Sequence, residues 1–419
     1  MPPRQPCSRR TVLKIAVLGL VAAVAAACER ALATPVASRS STAPPKVAPS
    51  GAPGSPTATP GPTGPSPAPT GSSALPLREK IARLLIVGFR GLTVDEAPWI
   101  RRAIVEDGLG GVILFDRHRT STKPRNIASP EQVRALTSEL RALAPQRELF
   151  VAIDQEGGLV TRLSERYGYP VLPSEAAVGA GSEAAVRAWA EGLVKTIADA
   201  GINLNFAPVV DVDVNPDNPA IGAIDRSFSA DPAVVARDAE IEVAAHRARN
   251  VMTALKHFPG LGSATANTDF GVSDVTATWT DSELVPYRDL LSKGLVDMIM
   301  AAHVMNGQLD RTAPASLSVA TIDGLLRTDL GWDGVVVTDD MQAAAITDAF
   351  GFADSIQLAM AAGNDLLLFA NQQVYEVDIV ARIVDLVEGF VRDGTIAEAR
   401  IDASIARVER LFAQDRVGG

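Results

Sequence analysis

The sequence predicts an α/β protein built as a single (β/α)8 barrel of the TIM type, preceded by a signal peptide and a disordered Pro/Ser/Thr/Ala-rich linker. Beyond residue 75, eight short apolar runs rich in Val, Ile and Leu alternate with longer segments of helical period. Parallel strands buried on both faces read as such continuous runs, and eight of them alternating with helices suit this barrel. The second observation is where polarity returns: Asp154, Asp211, Lys256 with His257, His303 and Asp339 each lie at or just past the C-terminal end of a run. That end is where the fold builds active sites. The third is the low-complexity stretch that separates an N-terminal apolar segment from everything else.

Residues 1–33 read as an export signal. Arg4, Arg9, Arg10 and Lys14 precede the apolar run Ile15 to Ala27, which is shorter than the roughly 20 residues a membrane span requires. The run from Ser8 to Lys14 also resembles a twin-arginine signal, which implies export after folding. Cys28 follows Ala25-Ala26-Ala27 and resembles the cysteine of a bacterial lipobox, whose thiol is lipidated; ordinary cleavage at Ala31-Leu32-Ala33 is the alternative. The expected location is the extracytoplasmic side of the cell membrane, as a lipoprotein, or otherwise the medium. Residues 34–74 are almost all Pro, Ala, Ser, Thr and Gly, with too little apolar surface to offset ordering entropy, so they read as a disordered tether. Cys7 and Cys28 are the two cysteines of the chain, so the exported domain carries no disulfide despite its oxidising destination.

Residues 75–415 read as the catalytic domain. The eight strands are expected at Ala82 to Phe89, Gly108 to Phe115, Leu149 to Asp154, Ile202 to Val212, Met252 to Phe258, Met298 to Val304, Gly334 to Asp339 and Asp365 to Phe369. Helical stretches such as Ser182 to Ala200 separate many of them. Each polar strand end has an ordinary reading when taken singly. Asp154 or Asp211 could cap a helix, His303 could be a satisfied core histidine, and Lys256 could pair with a buried carboxylate. Five ends with the same pattern converge on one mouth, which is the reading adopted here.

Composition narrows the partners. The chain is 47% hydrophobic and 21% charged, with a formal net charge of −10, a balance that argues against nucleic acid or another polyanion. The histidines His118, His246, His257 and His303 have no paired spacing, so no metal site is expected. Gly260-Leu261-Gly262-Ser263 lacks the lysine and strand-to-helix pattern of a phosphate loop, and no cofactor is implied.

Five ordered motifs carry a resemblance. Asp154-Gln155-Glu156-Gly157-Gly158, Ala207-Pro208-Val209-Val210-Asp211, Arg226-Ser227-Phe228, Lys256-His257-Phe258-Pro259-Gly260 and Val337-Thr338-Asp339-Asp340-Met341 occur here. Over residues 76–413 the chain resembles family 3 glycoside hydrolases, and most of all the single-domain bacterial β-N-acetylhexosaminidases. The resemblance implies a retaining exo-β-glycosidase with a carbohydrate substrate. It would hydrolyse terminal β-linked sugars, foremost β-N-acetylglucosaminides of cell-wall fragments or glycans. It assigns the nucleophile to Asp339, with Asp340 as the near competitor, and sugar binding to Asp154, Arg162, Arg226, Lys256 and His257. These residue types suit the task, because a carboxylate accepts from sugar hydroxyls while Lys and Arg donate charge-assisted bonds to them.

The resemblance also exposes departures. Leu159 stands where such enzymes often have Arg, and Leu261 and Ser263 where that branch usually has His and Asp. The branch takes its acid/base from a histidine in an Asp-x-His pair on the loop after the fifth strand. At that spacing this chain has Asp269, with Asn267 in place of the pair's aspartate. A carboxylate performs the same proton transfer when burial or nearby negative charge raises its pKa, so Asp269 is the expected acid/base and Asp274 the reserve. The alternatives are an inactive sugar-binding lipoprotein, a β-glucosidase-type specificity, and a phosphorylase. The basic segment from Arg117 to Arg125 should overhang the mouth; it reads either as a determinant for acidic or lactyl-bearing sugars or as a solvated loop.

Overall fold

A computed structural model describes residues 75–119, 122–414 and 416. The signal, lipobox and linker readings for residues 1–74 fall outside the described residues.

Eight parallel strands close into a barrel: β1 (Leu85–Gly88), β2 (Gly111–Leu114), β3 (Phe150–Ile153), β4 (Leu204–Asn205), β5 (Met252–Phe258), β6 (Met298–Ala301), β7 (Val335–Asp340) and β8 (Leu366–Phe369). Each pairs with its neighbours in the chain, and β1 closes on β8 through Leu85 opposite Leu367. Every position of β1 to β6 and of β8 is buried, which is why these strands read as unbroken apolar runs rather than alternating ones.

Ladder pairing stops sooner than the apolar runs do. The expected strand from Ile202 to Val212 is laddered only at Leu204–Asn205; Phe206, Ala207, Val209, Val210 and Val212 are equally buried but irregular, and Pro208 has no N–H to offer a neighbour. A single bridge between Val209 and Lys256 keeps this segment beside β5. Ala82, expected in the first strand, belongs instead to the helix Leu77–Arg83. Val304–Met305, expected at or beyond the end of the sixth strand, pairs with Ser273–Asp274 in a separate two-stranded sheet. β7 runs one residue further than expected and includes Asp340, with its register against β8 shifted between Val337 and Asp340.

The helices pack outside the barrel with one apolar face inward. In Glu183–Asp199, Val186, Trp189, Ala190, Leu193, Val194 and Ile197 are buried, the three-to-four-residue recurrence of an amphipathic helix. The Ser182 Oγ accepts from the Ala185 N–H at 3.3 Å and caps it, a contribution of about 1 kcal/mol. The ring of Phe258, at the end of β5, meets Tyr287 of the helix Val285–Ser292 edge to face at 5.1 Å. That contact fixes the strand from which Lys256 and His257 reach the mouth. No helix of the described residues is long and apolar enough to cross a membrane.

Candidate active site

At the C-terminal ends of the strands lies a cavity of about 380 Å³, within the size range of small-molecule sites. Asp154, Arg162, Arg226, Lys256, His257, Asp269 and Asp339 all line it, so the seven predicted site residues are brought together. A larger cavity of about 620 Å³ sits by the N-terminal start of β7 at Gly334 and Val335, with Arg247, Arg407 and Arg410 around it. The two carboxylates that line it, Asp297 and Asp333, are each engaged by those arginines, and none of the predicted site residues lies there. The mouth is therefore the candidate site.

The floor is a buried charge network. Asp154 follows β3, and the chain then turns through a hairpin in which Gln155–Gly157 pairs with Val160–Thr161. Gln155 anchors this hairpin: its Oε1 accepts from the Arg162 and Leu163 N–H groups at 2.9 Å, and its backbone exchanges two 2.9 Å bonds with the Asn205 side chain at the end of β4. The turn returns Arg162 to within 3.5 Å of Asp154. Gly157 adopts φ 94°, and a Cβ there would meet the Pro173 carbonyl oxygen at 2.3 Å, so glycine is required by both conformation and space.

Glu156 is the residue that the sequence reading passed over. Its carboxylate accepts a two-pronged contact from Arg226, at 2.7 and 2.8 Å, and a third from Lys256 Nζ at 2.6 Å. Lys256 also reaches Asp154 at 3.0 Å. Burial pushes the Glu156 pKa up, but the charges and hydrogen bonds of Arg226 and Lys256 outweigh it and hold the carboxyl far below the usual range. For Lys256 the balance is the mirror image: burial lowers its pKa, and Glu156 and Asp154 more than restore it. The signal was present in Asp154-Gln155-Glu156, because residues two apart on an extended segment face the same side.

Asp211, fully buried behind the mouth, organises the neighbouring loop. It accepts from the Leu261 N–H at 2.7 Å and from the His257 N–H at 3.2 Å, and meets His257 Nδ1 at 2.6 Å. On its other side His257 Nε2 lies 3.4 Å from Arg226 Nη2. A guanidinium can only donate, so the network assigns Nε2 as acceptor and Nδ1–H as the donor to Asp211. Leu261 and Ser263 thus belong to a loop held by buried carboxylates: Glu283 Oε2 accepts from the Gly262 N–H at 3.0 Å.

The two aspartates at the end of β7 differ in their surroundings. Asp339 Oδ1 accepts from the Asp340 N–H at 2.7 Å. Burial raises its pKa, but nearby His303, the Asp340 N–H and Lys256 reverse the sign, and the carboxyl is held below its ordinary value. Asp340 instead joins backbones, accepting from the Ala370 N–H at 2.9 Å and the Gln342 N–H at 3.1 Å. Burial pushes it up to about 7 despite these bonds, with Asp339 and Asp269 adding to the rise. It does not cap the following helix, whose N-cap is Ala343. His303 lies behind them, contacting Ser316 Oγ at 2.7 Å and the Asp340 carbonyl at 3.0 Å.

Asp269 approaches from the loop after β5. Its own N–H donates to the Asn267 side chain at 2.9 Å, and its carbonyl accepts from Ala344 N–H at 3.4 Å and Gln373 Nε2 at 3.3 Å. Asn267 therefore shapes a turn. The Asp269 side chain is 47% exposed; the burial it does have, followed by the charge of Asp339, raises its pKa, while Arg119, Arg226 and His303 oppose the rise. The reserve candidate Asp274 is exposed, does not line the cavity, and is held below its ordinary pKa by Thr276. Arg117 and Arg119 of the basic segment do line the mouth, whereas Arg125 is buried beneath it, bonded to the carbonyls of Phe89 and Ala370. Leu159, at a departure from the motif, is 76% exposed on the hairpin. Among the described residues no group of three or more His, Cys, Asp and Glu is placed to hold a metal ion.

Comparison with known proteins agrees with this geometry. Residues 76–411 match the profile of the glycosyl hydrolase family 3 N terminal domain. The chain is 31% identical over 343 residues to beta-hexosaminidase A of Pseudoalteromonas piscicida, covering 75% of this chain and 55% of that protein. It superposes on a family 3 beta-N-acetylglucosaminidase from Paenibacillus sp. str. FPU-7 with TM-score 0.74 and 35% identity, covering 83% of this chain and 64% of that one. It also superposes on a beta-N-acetylhexosaminidase from Beutenbergia cavernae DSM 12333 with TM-score 0.72 and 32% identity, covering 82% of this chain and 100% of that one. The chain thus spans less than two thirds of the length of the first two relatives.

Proposed function

The chain belongs to glycoside hydrolase family 3, and on that footing we propose that it is a retaining exo-β-glycosidase acting on terminal β-N-acetylglucosaminides, with Asp339 as nucleophile and Asp269 as acid/base. One observation carries the reading: two carboxyl groups line the same cavity with opposed electrostatics, Asp339 held towards the ionised state and Asp269 towards the protonated one. Pairs pushed apart in this way mark acid and base assignments.

In the first half-reaction Asp339 attacks the anomeric carbon, and the bond to the leaving oxygen breaks as that oxygen takes the Asp269 proton. The product is a glycosyl ester on Asp339. In the second half, ionised Asp269 takes a proton from water, whose oxygen attacks the anomeric carbon. Asp339 leaves as carboxylate, and two inversions restore the original configuration. Lys256, Arg162 and Asp154 face the cavity with donors and an acceptor for sugar hydroxyls, while Glu156 holds Lys256 and Arg226 in place.

The N-acetylglucosaminide preference is supported by the relatives, which are a beta-hexosaminidase, a beta-N-acetylglucosaminidase and a beta-N-acetylhexosaminidase. The proposed setting is the outer face of the cell membrane, with Cys28 as lipid anchor and cell-wall fragments within reach of the tether. A panel of 4-nitrophenyl β-glycosides and natural β-linked disaccharides tests the reading. Release of N-acetylglucosamine faster than glucose is expected. Sugar binding without hydrolysis of any member would instead favour an inactive sugar-binding protein, the reading that the replaced Asp-x-His pair motivates. Labelling with radioactive palmitate, lost in Cys28→Ala, tests the anchor.

A further inference from the structure

Arg119 stands on the loop after β2, whose base is closed by a bridge between Arg117 and Pro124 and by the His118 N–H donating to the Lys123 carbonyl at 3.2 Å. Its guanidinium lies 5.1 Å from the ring centroid of Phe270, and its Nη1 is 3.9 Å from Asp269 Oδ2. One planar cation therefore touches two consecutive residues of the loop after β5. Phe270 is 71% exposed, so burial does not explain its place. Its contact is with the cation beside the carboxylate, at a distance where a ring face attracts a guanidinium.

The charged groups around Asp269 come from several elements. Asp339 and Asp340 of β7, Arg226 and His303 act on it or feel its charge. Arg226 is locked by Glu156 and the Ala220 carbonyl, and His303 by Ser316 and the Asp340 carbonyl. Arg119 belongs to the rim and has a side chain 33% exposed. The two half-reactions ask opposite things of Asp269, a proton first and a free carboxylate second. Once Asp339 is esterified, the anion that favours the protonated form is gone, while the cation at Arg119 remains.

We propose that Arg119 is the positioning residue of the acid/base: set over the Phe270 ring, its guanidinium holds the Asp269 carboxylate at the mouth and serves as its counter-ion while Asp269 acts as base. The role rests on the reading of Asp269 given above. In this chain the partner of the acid/base thus comes from a different loop, where the related pair draws both members from one.

The test is a carbon-13 NMR titration of labelled aspartate carboxyls in the full chain, with the Asp269 signal assigned by its loss in Asp269→Asn. Arg119→Gln should raise the Asp269 midpoint by about half a unit to one unit, since the screened charge of a half-exposed neighbour is removed. Phe270→Ala should raise it by less, and Arg119→Lys should hold it near the wild-type value. Arg117→Gln, a charge lost from the same loop, should leave it in place. In parallel, the alkaline limb of kcat/KM should move up with the midpoint in Arg119→Gln. On activated aryl glycosides, limited by the second half-reaction, kcat should fall more than kcat/KM. Unchanged circular dichroism marks the variants as folded. A midpoint and limb unmoved by Arg119→Gln in an active enzyme overturn this inference alone; a wild type without hydrolytic activity overturns the acid/base reading and this inference with it.

Discussion

Glu156 and Lys256 meet at 2.6 Å in the floor of the barrel mouth, with side chains 1% and 2% exposed. Each compensates much of the other's burial, because an isolated buried charge costs several kcal/mol while a hydrogen-bonded pair largely offsets that cost; Arg226 and Asp154 supply the rest. Glu156→Gln should leave Lys256 and Arg226 with reduced compensation and destabilise the domain by about 3 kcal/mol, read as a fall in thermal midpoint. The carboxyl is depressed in the folded state, so its stabilisation is present above the unfolded value and is lost as pH falls below about 4.3. The stability gap between wild type and Glu156→Gln should therefore narrow on acidification; a gap constant from pH 7 to pH 3 would contradict the network.

For the nucleophile, Asp339→Asn should reduce turnover by roughly three powers of ten or more while leaving the fold intact. A fluorinated mechanism-based glycoside should attach to Asp339, identified by peptide mass spectrometry. Attachment at Asp340 would reverse the two roles, against the backbone bonds to Ala370 and Gln342 that occupy that side chain.

Asp269→Ala should slow natural disaccharides by about 10²- to 10⁴-fold, the usual contribution of a positioned proton donor. Aryl glycosides with good leaving groups need little acid help, so their first step should be spared and the glycosyl-enzyme should accumulate. Azide, which needs no general base, should then restore turnover and yield a β-glycosyl azide. Unchanged rates on disaccharides would remove Asp269 from the mechanism.

Glu283 carries a separate pH signature. Burial pushes it up to about 7, although the Gly262 N–H and the neighbouring Ser263 favour its ionised form. A carboxyl raised in the folded state contributes stability below its unfolded value, and that contribution is lost as pH climbs to about 7. Melting midpoints measured from pH 5 to pH 8 should decline for the wild type, and the decline should be shallower in Glu283→Gln. Parallel curves would show that Glu283 is not the group responsible.

The barrel was legible because burial on every face writes itself as unbroken apolarity, and β5 was read to both ends since Met252–Phe258 is extended and buried at every position, although its register against β6 shifts between Leu255 and Phe258. The fourth strand was read too long for the same reason. Phe206 to Val210 is as buried as any strand, and apolarity reports burial rather than pairing. The site was legible in the residues that strand ends carry. Glu156 was hidden because it sits in the hairpin beyond β3, and Arg119 because its meeting with Asp269 depends on two loops whose approach no local pattern encodes. Asp274 illustrates the converse: close to Asp269 in the chain, it is drawn away when Ser273–Asp274 pairs with Val304–Met305.

The loop bearing Asp269 is sewn to its neighbours through main-chain atoms, with Ala344 and Ala345 donating to the Asp269 and Thr268 carbonyls and Gln373 adding a side-chain bond. The segments after β5, β7 and β8 accordingly form one rim, with Arg119 joining that of β2. A length change in any one of them would be felt at the carboxylate whatever residues it contained. Chimeras with relatives should therefore exchange the rim as a block, because the separate loops are not independent modules that can be traded one at a time.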